Sequence, residues 1–493
     1  PKRPAVAPTA SPALPIAGSP SAMVGTRTAA PAPRVTVLQA ELDRIFQAAQ
    51  FDRSLWGIKV QSLDSDEVLY ARDAAKLMMP ASNMKIVTLA TTVERLGWDF
   101  TFETKLVASG PIEDGVLHGD LIVVGSGDPT FNGRGGPATR VFDGWADQLK
   151  AAGVTRIAGR IVADGRAFDP EGLGAGWAWD DLGSGYAAPV GALQFNEDVA
   201  EVAIRPGGSV GAPAIVEIEP PESGLVIENH VRTTDSGDTT LDIRRLPGSD
   251  RIVVTGDLPL SAKETKRAAS VDRPALYFAR TLRSTLIARE ILVEGDAVEV
   301  SPAAPPSEGR VLVAHRSPPL SEIARVLMKV SQNLYAETLV KTLGAQSGVG
   351  STEAGQKVER EVLQSWGVPP EAYVLADGSG LSRYNYVCAE TIVRILRQLY
   401  RDPRHRQSFM ETLPIGGTDG TIARRFIASR ATGNVKAKTG SIANVRALSG
   451  YVTTADGEAL AFSIIANNFA VPAETIYAAT DLAVERLAVF TRR

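Results

Sequence analysis

The chain has 493 residues, 44% of them hydrophobic, and a single core rarely grows beyond about 250–300 residues, so two or more domains are expected. Its 52 lysines and arginines against 56 acidic residues give a net charge of −4, which supplies no basic field for nucleic acid. No stretch approaches the roughly 18 uninterrupted apolar residues of a membrane span, and the longest candidate, around Ala459–Ala466, is strand-sized.

Pro1–Arg34 is dominated by Pro, Ala, Ser and Thr, with almost no large apolar side chain. Such a segment cannot bury enough surface to offset its ordering entropy, so a disordered linker is expected over 1–34. A Pro/Ala-rich tail behind a start at Pro1 is what a cleaved secretory signal or an anchor leaves, and a sequence simply cut at that point looks the same. From Val35 the pattern turns helical, with Leu38, Leu42, Ile45 and Phe46 on one face. Two strands follow near Leu55–Ser62 and Val68–Arg72, then Met79–Lys85 leads into a helix that ends near Gly97. Pro80 suits the start of that helix and Ser82 falls in its first turn.

From about Thr101 to Ser307 short β-branched strands alternate with Gly/Pro/Asp turns, as in Gly115–Val124, Thr155–Ala163, Ile215–Glu219 and Arg251–Gly256. One helical stretch, Ala275–Arg289, interrupts a segment that reads as a mainly β insertion. Helical patterns return at Leu320–Leu343, Glu353–Trp366 and Ala389–Tyr400. Three strands, Val435–Gly440, Arg446–Thr453 and Ala459–Ala466, and a last helix, Glu474–Phe490, close the chain. The parts flanking the insertion can form one domain.

The single cysteine, Cys388, excludes an intrachain disulfide and a cysteine-based metal site, and its apolar surroundings suit a buried structural residue. His118, His230, His315 and His405 are scattered without paired spacing, which argues against a zinc hydrolase and leaves a Ser-His-Asp triad unsupported.

Ser82-Asn83-Met84-Lys85 places a serine and a lysine on one helix face, within mutual reach. A serine needs a base to become nucleophilic, and a neutral lysine serves when burial or a second cation lowers its pKa. A helix N-terminus also offers backbone N–H groups to a developing oxyanion. A Ser-capped helix with a surface lysine accounts for the same four residues. Ser331-Gln332-Asn333 sits at a helix start within Lys329–Lys341, and Lys438-Thr439-Gly440-Ser441 sits on a strand. Alternation puts Lys438 and Gly440 on one face of that strand, where the glycine leaves room for a ligand backbone. Each segment alone is commonplace.

In this order, S-x-x-K, S-x-N and K-T-G resemble the penicillin-binding protein and serine β-lactamase set. Ala376–Arg383, Leu413-Pro414 with Gly417–Thr421, Ala437–Ser441 and Leu448–Tyr451 resemble the class C low-molecular-mass penicillin-binding proteins, the penicillin-binding protein 4 type D-alanyl-D-alanine carboxypeptidases and endopeptidases. Gly125–Thr130 is similar to that family too, whereas as a phosphate loop it lacks the Gly-Lys-Ser/Thr ending. The resemblance runs from about Val35 to the C-terminus.

It implies an α/β (α+β) fold: a transpeptidase-like domain of the penicillin-binding protein/serine β-lactamase kind with two nested, mainly β insert domains. The expected boundaries are 35–100 with 308–493 for the peptidase domain, 101–195 with 267–307 for one insert, and 196–266 for the other. It implies that Ser82 attacks the penultimate D-alanine carbonyl with Lys85 as base, and that the oxyanion sits between the N–H groups of Ser82 and Ser441. Ser331 and Lys438 then pass a proton to the leaving amine, Asn333 orients the substrate amide, and Lys438, Thr439 and Gly440 of the K-T-G strand receive the terminal D-alanine. Asp181 and Tyr186, in a segment beginning Gly176-Trp177-Ala178-Trp179, resemble the family pocket for the free end of diaminopimelate, with Arg383 alongside. A carboxylate for an ammonium and an arginine for a carboxylate suit a zwitterionic end; a turn aspartate, core tryptophans and a surface arginine are the plainer account. Ala443 replaces a polar residue of some relatives.

The expectation is a periplasmic or cell-envelope serine carboxypeptidase and endopeptidase for peptidoglycan stem peptides, acylated by β-lactams and needing no cofactor or metal. Two rivals are a serine β-lactamase, against which the size of the insertion speaks, and a non-catalytic peptidoglycan or β-lactam binder, which has no need of a nucleophile and base.

Overall fold

The computed structural model describes residues 33–301, 304–305 and 307–493. The linker expected over 1–34 lies outside these residues except for 33 and 34, which begin the first helix, Pro33–Phe46. That helix forms because Val35, Leu38, Leu42 and Phe46 make one apolar stripe, and all four are buried.

The chain's two ends meet in one five-stranded antiparallel sheet. Its order is Val68–Arg72, Leu55–Ser62, Ala459–Asn467, Val445–Thr453 and Lys436–Ile442. Successive strand side chains point to opposite faces. Leu460, Phe462, Ile464 and Ala466 accordingly join the core formed with Pro33–Phe46 and the last helix, Ala473–Val489. Ala461 and Ile465 face the other way, into a helical core with Ile86, Leu89, Leu339 and Ile392. Ser463 lies between them on that second face, fully buried, and its hydroxyl accepts from Ser449 at 2.9 Å.

The helical layer comprises Met84–Leu96, Leu320–Lys329, Asn333–Ala345, Thr352–Ser365 and Ala389–Arg401. The helical pattern over Leu320–Leu343 is two helices, the second starting at Asn333 in line with the helix start read at Ser331-Gln332-Asn333, because Ser331 takes φ +64 and the chain turns between Lys329 and Asn333. Ser331 therefore precedes the second helix, and Gln332 caps it by accepting from the Leu334 N–H at 3.0 Å.

In the insertion, a sheet runs Ala297–Glu299, Ile161–Asp164, Leu121–Val124, Glu103–Ala108 and Arg310–Arg316. The strands expected as Gly115–Val124 and Thr155–Ala163 are each broken in two, Val116–Leu117 then Leu121–Val124, and Arg156–Ile157 then Ile161–Asp164. Their first halves belong to a separate four-stranded sheet. The crossing occurs at Gly119 and Gly159, where the two backbones touch: a Cβ on Gly159 would stand 2.4 Å from Gly119 O. A helix absent from the sequence reading, Arg140–Ala151, buries Phe142, Trp145, Ala146 and Leu149 against Pro274–Ala288. Two three-stranded sheets follow, Ile215–Glu219, Val199–Arg205, Thr265–Ser270 and Val226–Thr234, Arg251–Pro259, Thr240–Arg245, which share one core. Two pairings cross the expected boundaries: Arg310–Arg316 pairs with Glu103–Ala108, and Thr265–Ser270 pairs with Val199–Arg205. Among the described residues no helix is long and apolar enough to cross a membrane.

Phe46 locks the first helix to the sheet, with its ring 4.8 Å from Trp56. Phe46→Ala is expected to cost about 3–5 kcal/mol, read as a lower denaturant midpoint by Trp fluorescence.

Candidate active site

Ser82 sits in a single 3-10 turn, Ala81–Asn83, that runs directly into the helix Met84–Leu96. Two contacts define that turn. Gly380, at φ +82, lets the Ala376–Arg383 segment approach so closely that a Cβ there would stand 1.9 Å from Ala81 O. Asn83 is fully buried and its Nδ2 donates to Ser449 Oγ at 2.6 Å, joining the turn to the Ser449–Ser463 pair on the face of the central sheet.

Lys85, one turn on, is fully buried, and its Nζ lies 3.0 Å from Ser82 Oγ, 2.6 Å from Asn333 Oδ1 and 2.8 Å from Ser379 O. The Asn333 amide is oriented by its Nδ2, which donates to Tyr186 O at 2.8 Å, so Oδ1 must face the lysine. Two of the three partners are thus carbonyl oxygens that can only accept. They take both N–H bonds of a neutral amine, and its lone pair is left pointing at the serine hydroxyl. Burial pushes the Lys85 amine down to about 7, against the opposing charges of Asp377 and Glu337.

Lys438 is also fully buried, and its Nζ donates to Ser331 Oγ and to Thr439 O, both at 2.8 Å. Burial, then the nearby Lys85, holds it well below the usual lysine range. The break in the helical run is what turns the Ser331 hydroxyl toward this amine. On the same strand, Gly440 lets Lys436–Ile442 lie against the serine turn: a Cβ there would stand 2.6 Å from Pro80 O and 3.1 Å from the Ser82 and Asn83 nitrogens. Thr439 Oγ1 donates to Thr421 Oγ1 at 2.8 Å, and the exposed Ser441 hydroxyl lies 3.5 Å from Tyr477 OH.

Asp181 and Tyr186 come together, the tyrosine hydroxyl donating to Asp181 Oδ1 at 2.6 Å, while Trp179 and Tyr186 stay 58% and 50% exposed. Arg383 donates instead to Ala443 O at 2.8 Å, just past the K-T-G strand. The sequence reading missed Asp377 and Glu337 as site residues, both buried beside Lys85. Glu337 had a visible signal: a carboxylate one turn after Asn333, inside the apolar run Leu334–Val340. A cavity of about 1080 Å³ lies elsewhere, and its arginines Arg166, Arg245 and Arg273 are paired with Asp164, Asp272 and Glu299. Glu94, Asp402 and His405 also cluster, but Arg404 pairs with both acids and Trp98 Nε1 donates to His405 Nδ1.

A serine against a buried lysine, a second serine–lysine pair and a glycine-relieved strand edge define a serine hydrolase of the acyl-enzyme type. The profile of the D-Ala-D-Ala carboxypeptidase 3 (S13) family matches residues 38–487, and the chain belongs to that family of serine peptidases. It is 36% identical over 471 residues to a D-alanyl-D-alanine carboxypeptidase of Actinomadura sp., covering 93% of this chain and 85% of that one. It is 29% identical over 420 residues to the D-alanyl-D-alanine carboxypeptidase DacB of Haemophilus influenzae, covering 84% and 85%. The crystal structure of penicillin binding protein 4 from H. influenzae superposes with a TM-score of 0.82 at 27% identity, covering 91% of this chain and 99% of that one. The same protein complexed with a β-lactam gives 0.75 at 25% identity, covering 92% and 99%. The fold is therefore that of a penicillin-binding protein with additional insert domains.

Gly440→Ala would force the strand off the serine turn. Misplacing a reacting group by about 1 Å costs about 100-fold in rate, so hydrolysis of a D-alanyl-D-alanine peptide should fall by that order while the circular dichroism spectrum is retained.

Proposed function

We propose that the chain removes the terminal D-alanine of peptidoglycan stem peptides through an acyl-serine intermediate, and that it also cuts D-alanyl cross-links as a DD-endopeptidase. The observation that carries this reading is the Lys85 amine, dry, with two carbonyl acceptors and the serine hydroxyl around it.

Ser82 gives its proton to the Lys85 lone pair as Oγ bonds to the penultimate D-alanine carbonyl carbon. The carbonyl oxygen takes the negative charge between the Ser82 and Ser441 N–H groups, where donors fixed in advance need no reorganisation. The C–N bond then breaks, and the departing amine takes a proton passed through Ser331 and Lys438, which are bonded to each other. Water cleaves the ester to restore Ser82. The terminal carboxylate binds at Lys438 and Thr439. Lys438 faces a cation rather than an anion in the free enzyme, so the arriving carboxylate supplies the opposite charge that favours its ammonium form.

Asp181, Tyr186 and Arg383 form the side-chain pocket in this reading. The bond from Tyr186 fixes the Asp181 carboxylate at one oxygen and leaves the second oriented for an ammonium group. The peptidase domain is formed by both ends of the chain, and the inserts are nested between Leu96 and Leu320. A cell-envelope or periplasmic location follows from the substrate. β-Lactams, which imitate the D-alanyl-D-alanine end, acylate Ser82 and leave slowly.

Intact mass after incubation with a labelled penicillin should show one long-lived adduct, absent in Ser82→Ala. Rapid turnover without an adduct would point to a β-lactamase, and neither adduct nor turnover to a binding protein. The base is active as the neutral amine, whose fraction grows as pH rises through about 7. Acylation should therefore climb about tenfold per pH unit below that value and level off above it, in a stopped-flow pH series.

A further inference from the structure

Lys85 is the reacting base in the reading above, and its orientation depends on two carbonyl acceptors. One, Asn333 Oδ1, belongs to a side chain on the helix Asn333–Ala345. The other, Ser379 O, belongs to a loop, and a loop carbonyl is only as well placed as the groups that hold it. Every backbone polar group of Gly378 and Ser379 is accounted for. The Gly378 N–H donates to Glu337 Oε2 at 2.9 Å and the Ser379 N–H to Glu337 Oε1 at 2.7 Å. Gly378 O accepts from Thr88 Oγ1 at 2.8 Å, and Ser379 O accepts from Lys85. The loop is pressed onto the helix so tightly that a Cβ on Gly378 would stand 2.6 Å from Val340 Cγ2 and 2.8 Å from Ala336 O.

Asp377, the other buried carboxylate nearby, is engaged differently. Its Oδ1 accepts from the Gly380 N–H and Asn385 Nδ2, and its Oδ2 from the Ser382 N–H and Trp177 Nε1. It closes its own loop and docks the insert segment. Glu337 bridges that loop to the helix carrying Asn333.

We propose that Glu337 is a positioning residue for the acylation step: its carboxylate holds the Gly378–Ser379 peptide so that Ser379 O takes one N–H of Lys85. Glu337 and Asn333 are four residues apart on one helix, hence on one face, so both acceptors that aim the lysine hang from a single rigid element. A carboxylate is required because two parallel N–H groups need two acceptor oxygens, and a glutamine would turn an NH₂ against one of them. Burying an acid in an apolar helix is costly, and burial followed by the Asp377 charge pushes the Glu337 carboxyl up. The groups facing Lys85 are Ser82, Asn333 and Ser379, the carboxylates of Glu337 and Asp377, and the amine of Lys438.

The test is penicillin acylation of the full chain, resolved into the non-covalent binding constant and the acylation rate constant across a pH series. Glu337→Gln is expected to lower the rate constant about tenfold while binding stays within about twofold. Its acid limb should move to lower pH, because an anion that favours the Lys85 ammonium is gone. Thr88→Val loosens the same peptide without changing charge, and should lower the rate constant about threefold with the limb unmoved. The control is Glu359→Gln, a fully buried acid beside Thr88 and Thr91 that bonds neither Gly378 nor Ser379, and whose glutamine keeps a group able to donate to Thr88. It should keep the parent rate and limb. A folded Glu337→Gln protein with the parent rate constant and limb would overturn the proposal, as would equal losses in Glu337→Gln and Glu359→Gln. If Glu337→Gln does not fold, a parent rate constant in Thr88→Val overturns it. The proposal rests on Lys85 as the base, and that premise fails separately if Lys85→Ala is acylated at the parent rate.

Discussion

Everything in the site is arranged around one amine that has lost its water. An ammonium group taken out of water costs on the order of several kcal/mol even after the protein relaxes, and Lys85 and Lys438 are both fully buried, with Lys85 among the groups that depress Lys438. Two such cations cannot both keep their protons cheaply. The protein resolves this asymmetrically. Lys85 has the charges of Glu337 and Asp377 opposing its burial, whereas Lys438 has no such anion: burial and then Lys85 hold it well below the usual lysine range. In the proposed mechanism, a neutral Lys85 amine is thus available near neutral pH before any substrate arrives.

That state requires walls from distant parts of the sequence. Ser82 and Lys85 come from the N-terminal portion, Asn333 from a helix after the insertion, Ser379 from a loop, and Lys438 from an edge strand near the C-terminus. The central antiparallel sheet makes this geometry reproducible, since Leu55–Ser62 pairs with Ala459–Asn467 along its full length. The Asn83–Ser449–Ser463 chain then ties the serine turn to the strands beneath it. Two glycines permit the approach from either side, Gly440 for the strand and Gly380 for the loop.

How much of this was legible beforehand depended on whether the cause was local. The apolar stripe of Pro33–Phe46, the hairpin before Ser82 and the three closing strands follow from side-chain periodicity, and fall within a residue or two of expectation. The serine–lysine pairs were legible from their order along the chain. Ser331-Gln332-Asn333 was read at a helix start and stands there, but the left-handed conformation of Ser331, which faces its hydroxyl to Lys438, has no signal in the apolar period from Leu320 to Leu343. The strands broken at Gly119 and Gly159 were misread for a similar reason: each glycine serves a close approach by a distant backbone. Arg140–Ala151 could have been found, since Phe142, Trp145, Ala146 and Leu149 have helical spacing. Glu337 was visible as an anomaly, but its partners are two N–H groups some forty residues away.

The bond from Asn333 Nδ2 to Tyr186 O has a consequence for how such an enzyme could be made smaller. Tyr186 belongs to the insertion, yet its carbonyl decides which way the Asn333 amide faces, and hence what Lys85 meets. Two further contacts reach the same helix start from the insertion, Gln332 to Glu197 and Asn132 to Tyr335. The insertion is therefore scaffolding for the groups around Lys85. A minimal enzyme obtained by excising it would need a new acceptor at that spot before its lysine pointed anywhere useful.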